Sequence, residues 1–191
     1  MYAKRIVSFF LFFLTLGMLT VAAPAEAQTG VAKRQDSDGL TDIFTTLKEQ
    51  TGSILPQLNT LAESGNAKNE DVVALVQQLL DSLNTANDGI EELKGKPSGG
   101  HPPKPDVLAK LLAEILKDIL KVLHVVLLKL GLAIPGLSPL LIAIDVALAK
   151  ILHGVEFLLA GVLKLVAGLL KDVAGLLYDL SFGLLLAALG F

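Results

Sequence analysis

Leu40, Ile43, Phe44, Leu47, Ile54, Leu55, Leu58 and Leu61 recur at three- and four-residue steps, the spacing that lines apolar side chains along one face of a helix. Asp38 or Thr41 is placed to cap its start, and Gly52 and Pro56 predict a kink or a division into two shorter helices. Ser64-Gly65-Asn66 then reads as a turn. Val72, Val73, Val76, Leu79, Leu80, Leu83, Ala86, Ile90 and Leu93 form a second stripe, with Gln, Asp, Asn and Glu opposite. Asn69 is the expected cap there, followed by Glu70 and Asp71, which suit the positive end of the helix dipole. Two such helices bury little area alone, so the hairpin is expected to lean on the rest of the chain.

The pattern then breaks and changes character. Residues 95–105, GKPSGGHPPKP, hold three glycines and four prolines, a composition that excludes regular structure and predicts a semi-extended linker letting the two halves orient separately. Asp106 is placed to cap a long helix whose polar stripe runs through Lys110, Glu114, Lys117, Asp118, Lys121 and His124, with Leu, Ile, Val and Ala elsewhere. Gly131, Pro135, Gly136 and Pro139 end it, and Ser138-Pro139 is a cap and first residue for the next. Four heptads, GVEFLLA, GVLKLVA, GLLKDVA and GLLYDLS, then align without gaps over 154–181. On a continuous helical wheel Gly154, Gly161, Gly168 and Gly175 lie beside a thin polar seam that includes Asp172 and Asp179, opposite a band of Val and Leu. Those glycines have two compatible readings: close approach of neighbouring helices, or conformational softness, since each costs up to about 1 kcal/mol of helix propensity.

Composition sharpens the division. From Asp106 to the end 58 of 86 residues are apolar, against 21 of 71 in residues 35–105, so the chain is amphiphilic along its length. Charge divides in the same way: residues 35–100 carry 4 Lys and 11 acids, residues 101–191 carry 8 Lys and 7 acids. An acidic head without tryptophan, and without arginine beyond Arg34, argues against nucleic-acid binding. Charges recur often enough in the oily half that no stretch reads as a membrane span of about 20 apolar residues; helices that pack together or lie flat on an interface are expected.

The start of the chain reads as export machinery. Lys4 and Arg5, the apolar run Ile6 to Val21 and Ala25-Glu26-Ala27 predict a signal peptide over 1–27, cleaved after Ala27. Lys33-Arg34 is a dibasic processing pair, which makes 28–34 a propeptide and Gln35 the mature start. Secretion to the extracellular space or cell wall is therefore expected. The chain has no cysteine, so neither disulfides nor thiol chemistry stabilise it.

Candidate chemistry is sparse. No HExxH, phosphate-cradling glycine loop or serine–histidine–carboxylate grouping occurs, and His101, His124 and His153 do not form a metal-ligand pattern. Asp145 and Glu156 are isolated acids, expected on the solvated seam and not as a catalytic pair. No catalytic, cofactor-binding or metal site is assigned, no cofactor is expected, and the chain is not expected to be an enzyme. The fold class is all-α: an acidic helical hairpin over 35–94, the linker 95–105, and a very hydrophobic helical bundle over 106–191.

The layout of signal peptide, Lys33-Arg34 pair, absent cysteine, hydrophilic first half and leucine-rich second half resembles the cysteine-free extracellular protein of mushroom-forming fungi that is abundant in wall and medium. The segment Gly39 to Leu93 is also similar to fungal secreted proteins that bind hydrophobic surfaces. The first resemblance implies a role, alongside hydrophobins, in aerial hypha formation and attachment to surfaces; the eight cysteines that define hydrophobins are absent here. The expected partners are hydrophobic surfaces or interfaces, cell-wall components, further copies of the chain, and lipid. A lipid- or sterol-binding carrier and a membrane-active effector are the alternatives.

Overall fold

The structure, a computed structural model, describes residues 39–64, 68–95, 104–131 and 134–191. The signal-peptide, propeptide and processing assignments at Ala27, Lys33 and Arg34, and the capping role considered for Asp38, lie outside the described residues. Four long helices come first in chain order: α1 (Gly39–Ser64), α2 (Asn69–Lys94), α3 (Pro105–Leu130) and α4 (Leu137–Leu158). Shorter pieces complete the chain: α5 (Val162–Leu170), a 3₁₀ turn (Lys171–Val173), α6 (Ala174–Asp179) and α7 (Gly183–Leu189). No strand occurs among the described residues, so the fold is all-α.

Helix α1 runs through Gly52 and Pro56 without the expected division. A proline inside a helix clashes with the carbonyl four residues back, and here that residue is Gly52. Burial on both sides of the proline, by Thr51, Ile54, Leu55 and Leu58, holds the helix together across the fault. The expected caps are displaced by one or two positions. Asn69 is the first helical residue of α2 and Lys68 the cap, Pro105 opens α3 ahead of Asp106, and α4 is entered through left-handed Gly136 and not through Ser138.

Helix α1 packs on α2 and on α3, α2 packs on α4, and α5 closes the circuit by touching both α3 and α4. Residues Asp36–Phe191 therefore form one compact unit with one apolar core, from Phe44, Leu47 and Leu58 of α1 through Leu79 and Leu83 to Leu116, Ile144 and Leu152. The separate orientation implied by the linker is not what the two halves adopt. The apolar faces of α1 and α2 are too small to complete a core between themselves, so they are covered by α3 and α4. Polar contacts mark the same seam: Lys48 Nζ donates to Glu114 at 2.7 Å across α1 and α3, and Asn87 Nδ2 donates to the Ala147 carbonyl at 3.1 Å across α2 and α4.

The heptad region does not form the single helix drawn on the wheel. Gly161, at φ 90°, takes a left-handed turn between α4 and α5, a conformation that costs other residues roughly 1–2 kcal/mol. The chain turns again after α6, where Ser181 sits at φ 58° and the amides of Ser181 and Phe182 return to the carbonyls of Tyr178 and Leu177 at 3.0 and 2.9 Å. The seven-residue period nevertheless has a structural counterpart. Lys117 meets Asp172 at 2.9 Å and His124 Nε2 meets Asp179 at 3.1 Å, so one heptad along α3 matches one heptad along the later segment, and the two run parallel.

Two of these cross-element pairs give a pH dependence with a defined sign. Hydrogen bonding and charge attraction from Lys48 hold the Glu114 carboxyl below its ordinary value of 4.5. Hydrogen bonding from Lys117, opposed by some desolvation, holds Asp172 below its ordinary 3.8. A carboxyl lowered in the folded state stabilises it above the unfolded pKa, and that contribution disappears as pH falls through the folded value. Thermal melts of the wild type and of the Lys48→Gln/Lys117→Gln double variant should thus differ at neutral pH and converge once pH falls well below 3.8. A gap that widens in acid would contradict this account.

Candidate functional site

Exposed apolar side chains are distributed unevenly over the molecule. Val107, Leu128, Ile142, Phe157, Leu165, Leu169, Tyr178, Leu184 and Phe191 are the exposed large hydrophobic residues among those described, and all of them belong to α3 or later segments. Phe157 is 73% exposed, Leu128 69% and Ile142 67%, whereas α1 and α2 turn their large apolar residues inward and leave Gln, Asn, Asp, Glu and Thr outside. The amphiphilic character read from composition therefore survives folding: one half presents a polar, acidic surface and the other a surface interrupted by oil.

Helices α5 and α7 are anchored to α4 by acids that the sequence did not identify as structural. Asp145 is buried, and its carboxylate accepts from the amides of Leu184 at 3.0 Å and Leu185 at 2.8 Å, capping α7 from a different helix. Phe182, the residue at the cap position of α7, offers no side-chain hydrogen bond, so Asp145 takes that role. Glu156 does the same for α5, accepting from the amides of Gly161 at 2.8 Å and Leu163 at 3.0 Å. Neither acid is part of a simple solvated seam, which corrects the expectation for both. A carboxylate near a helix N-terminus is favoured by the dipole as well as by the amides it accepts from. Glu156 was discoverable from its closeness in sequence to Gly161; Asp145, nearly forty residues from its amides, was not.

The histidines are dispersed. His124 pairs with Asp179, His153 is exposed on α4, and His101 lies outside the described residues. No group of three or more potential metal ligands occurs among the described residues. Two surface grooves open on α1: about 570 Å³ beside α2, lined by Pro56, Leu61 and Leu75, and about 400 Å³ beside α3, lined by Leu55, Ile115 and Val122. No helix among the described residues is long and apolar enough to cross a membrane.

Fold and surface together define an all-α protein with a leucine-rich core, an acidic hairpin and exposed apolar side chains confined, among the described residues, to α3 and later segments. No family model matches the chain. It is similar to Fruiting body differentiation protein 16 of Flammulina velutipes, with 34% identity over 82 residues. That stretch is 43% of this chain and 64% of the relative, so the match spans just under two thirds of the relative's length. The likeness supports a protein of mushroom-forming fungi.

Proposed function

We propose that the protein is a secreted, non-enzymatic, surface-active structural protein of the fungal cell wall or extracellular matrix, acting in aerial hypha formation and attachment to hydrophobic surfaces. The observation that carries this reading is the confinement of every exposed large apolar side chain among the described residues to α3 and beyond. Such a surface adsorbs with its oily half toward the apolar phase and keeps the acidic hairpin hydrated. Burying one leucine fully is worth roughly 1.5–3 kcal/mol, so a few partly exposed residues suffice for a first contact. Short helices divided by turns at 159–161 and 180–182 then offer places where the unit can spread. The name of the Flammulina relative, a fruiting body differentiation protein, fits a developmental role.

The carrier reading is less well supported, because the two grooves on α1 open to solvent while a carrier site buries most of its ligand. Pendant-drop tensiometry of residues 35–191 tests the proposal. The wild type should lower the surface tension of water, and an Ile142→Ser/Phe157→Ser/Leu184→Ser variant should do so more slowly. A wild type without surface activity, or a variant that matches it in rate, would refute the proposal.

A further inference from the structure

The charge arrangement around the exposed apolar residues is more specific than general surface activity requires. Residues 137–191 contain four acids and three lysines. All four acids are engaged within the fold: Asp145 and Glu156 with backbone amides, Asp172 with Lys117, and Asp179 with His124. Lys150, Lys164 and Lys171 are exposed, and none of them takes part in an ion pair among the described residues. Asp172 and Asp179 are themselves exposed, but each is committed to a partner, so the charges this part of the chain presents outside any ion pair are those of Lys150, Lys164 and Lys171.

Lys164 and Lys171 share the outward ridge of α5 and the turn after it. Val162, Val166 and Leu170 point into the core, Gly161 and Gly168 lie on the exposed side between and beside the lysines, and Leu165 and Leu169 are exposed on one flank. A methyl group added at Gly161 or Gly168 would meet no other atom within 4 Å, so the ridge is open to close approach. We infer that this ridge docks on an anionic lipid surface, with the ammonium groups of Lys164 and Lys171 on headgroup phosphates or carboxylates and Leu165 and Leu169 entering the acyl boundary. Charge complementarity alone would also admit the acidic hairpin of a second copy. That hairpin exposes no large apolar side chain, so Leu165 and Leu169 would stay wet against it; an anionic bilayer accepts both the charge and the oil.

The inference rests on reading the apolar half as the surface-seeking part, and one experiment separates the two. Residues 35–191 are floated with vesicles of phosphatidylcholine alone and of phosphatidylcholine containing a quarter phosphatidylserine, alongside tensiometry of the same samples. Each lysine near an anionic surface is worth about a fivefold preference, so Lys164→Gln/Lys171→Gln should lose on the order of 25-fold in the preference for the charged vesicles. Lys68→Gln, on the hairpin, should retain it. All three proteins should lower surface tension alike, and circular dichroism should show equal helix content. A wild type indifferent to phosphatidylserine, or a double variant that keeps the preference, overturns the assignment. So does a dimer that Lys164→Gln/Lys171→Gln dissociates while vesicles are ignored, which would give the ridge to a second copy. Lipid preference without surface activity would remove the wider reading and leave the ridge.

Discussion

Gly154→Ala should destabilise the protein by about 1–3 kcal/mol, although alanine is the better helix former. The added Cβ would stand 2.6 Å from Cγ2 of Ile90 and 3.7 Å from its Cβ, a branched side chain that is itself buried between α2 and α4 and has little room to retreat. Gly168→Ala should have the opposite sign and stabilise by up to about 1 kcal/mol, because nothing lies within 4 Å of the new methyl and the residue is within α5. Urea unfolding followed by circular dichroism would resolve both changes. If both substitutions stabilise, the close contact between α2 and α4 is not where the structure puts it. The pair also separates the meanings of the repeated glycine: contact at Gly154, a left-handed turn at Gly161, and open helix at Gly168.

Replacing Asp145 by alanine should cost on the order of 3 kcal/mol. Hydrogen bonds to a charged group contribute about 1.5–3 kcal/mol each, and the amide of Leu185 would be left buried without an acceptor. Asp145→Asn, which keeps one acceptor oxygen, should fall between wild type and alanine. Amide hydrogen exchange locates the effect: Leu184, Leu185 and the residues of α7 should lose protection in the alanine variant well before the hairpin does. Unchanged stability together with unchanged exchange at Leu184 and Leu185 would remove Asp145 from its role as anchor.

The amphipathic stripes of α1, α2 and α3 were legible because their burial pattern comes directly from three- and four-residue spacing. Cap positions were less so. Pro105 and Gly136 set helix starts by backbone preference, and that preference outweighed the side-chain caps expected at Asp106 and Ser138. The heptads misled for a different reason: a helical wheel presumes an unbroken helix, and the turn at Gly161 changes the direction in which every later residue points. Linker composition bore only on residues 95–105; it carried no information about the apolar faces on either side, which pack together. Of the site, the excess of oil in the second half was plain, but which leucines stay outside depends on the circuit of α1, α3, α5, α4 and α2.

The shared core also orders events while the chain is made. Synthesis runs from the hairpin toward the leucine-rich end, so α1 and α2 exist before the segments that would otherwise cluster with one another. Their uncovered apolar faces await α3 and then α4, which gives each newly finished oily helix an intramolecular partner at high local concentration. The acidic hairpin thus presents α3 and α4 with an apolar partner in the same chain. A chain in the reverse order would expose its stickiest helices first.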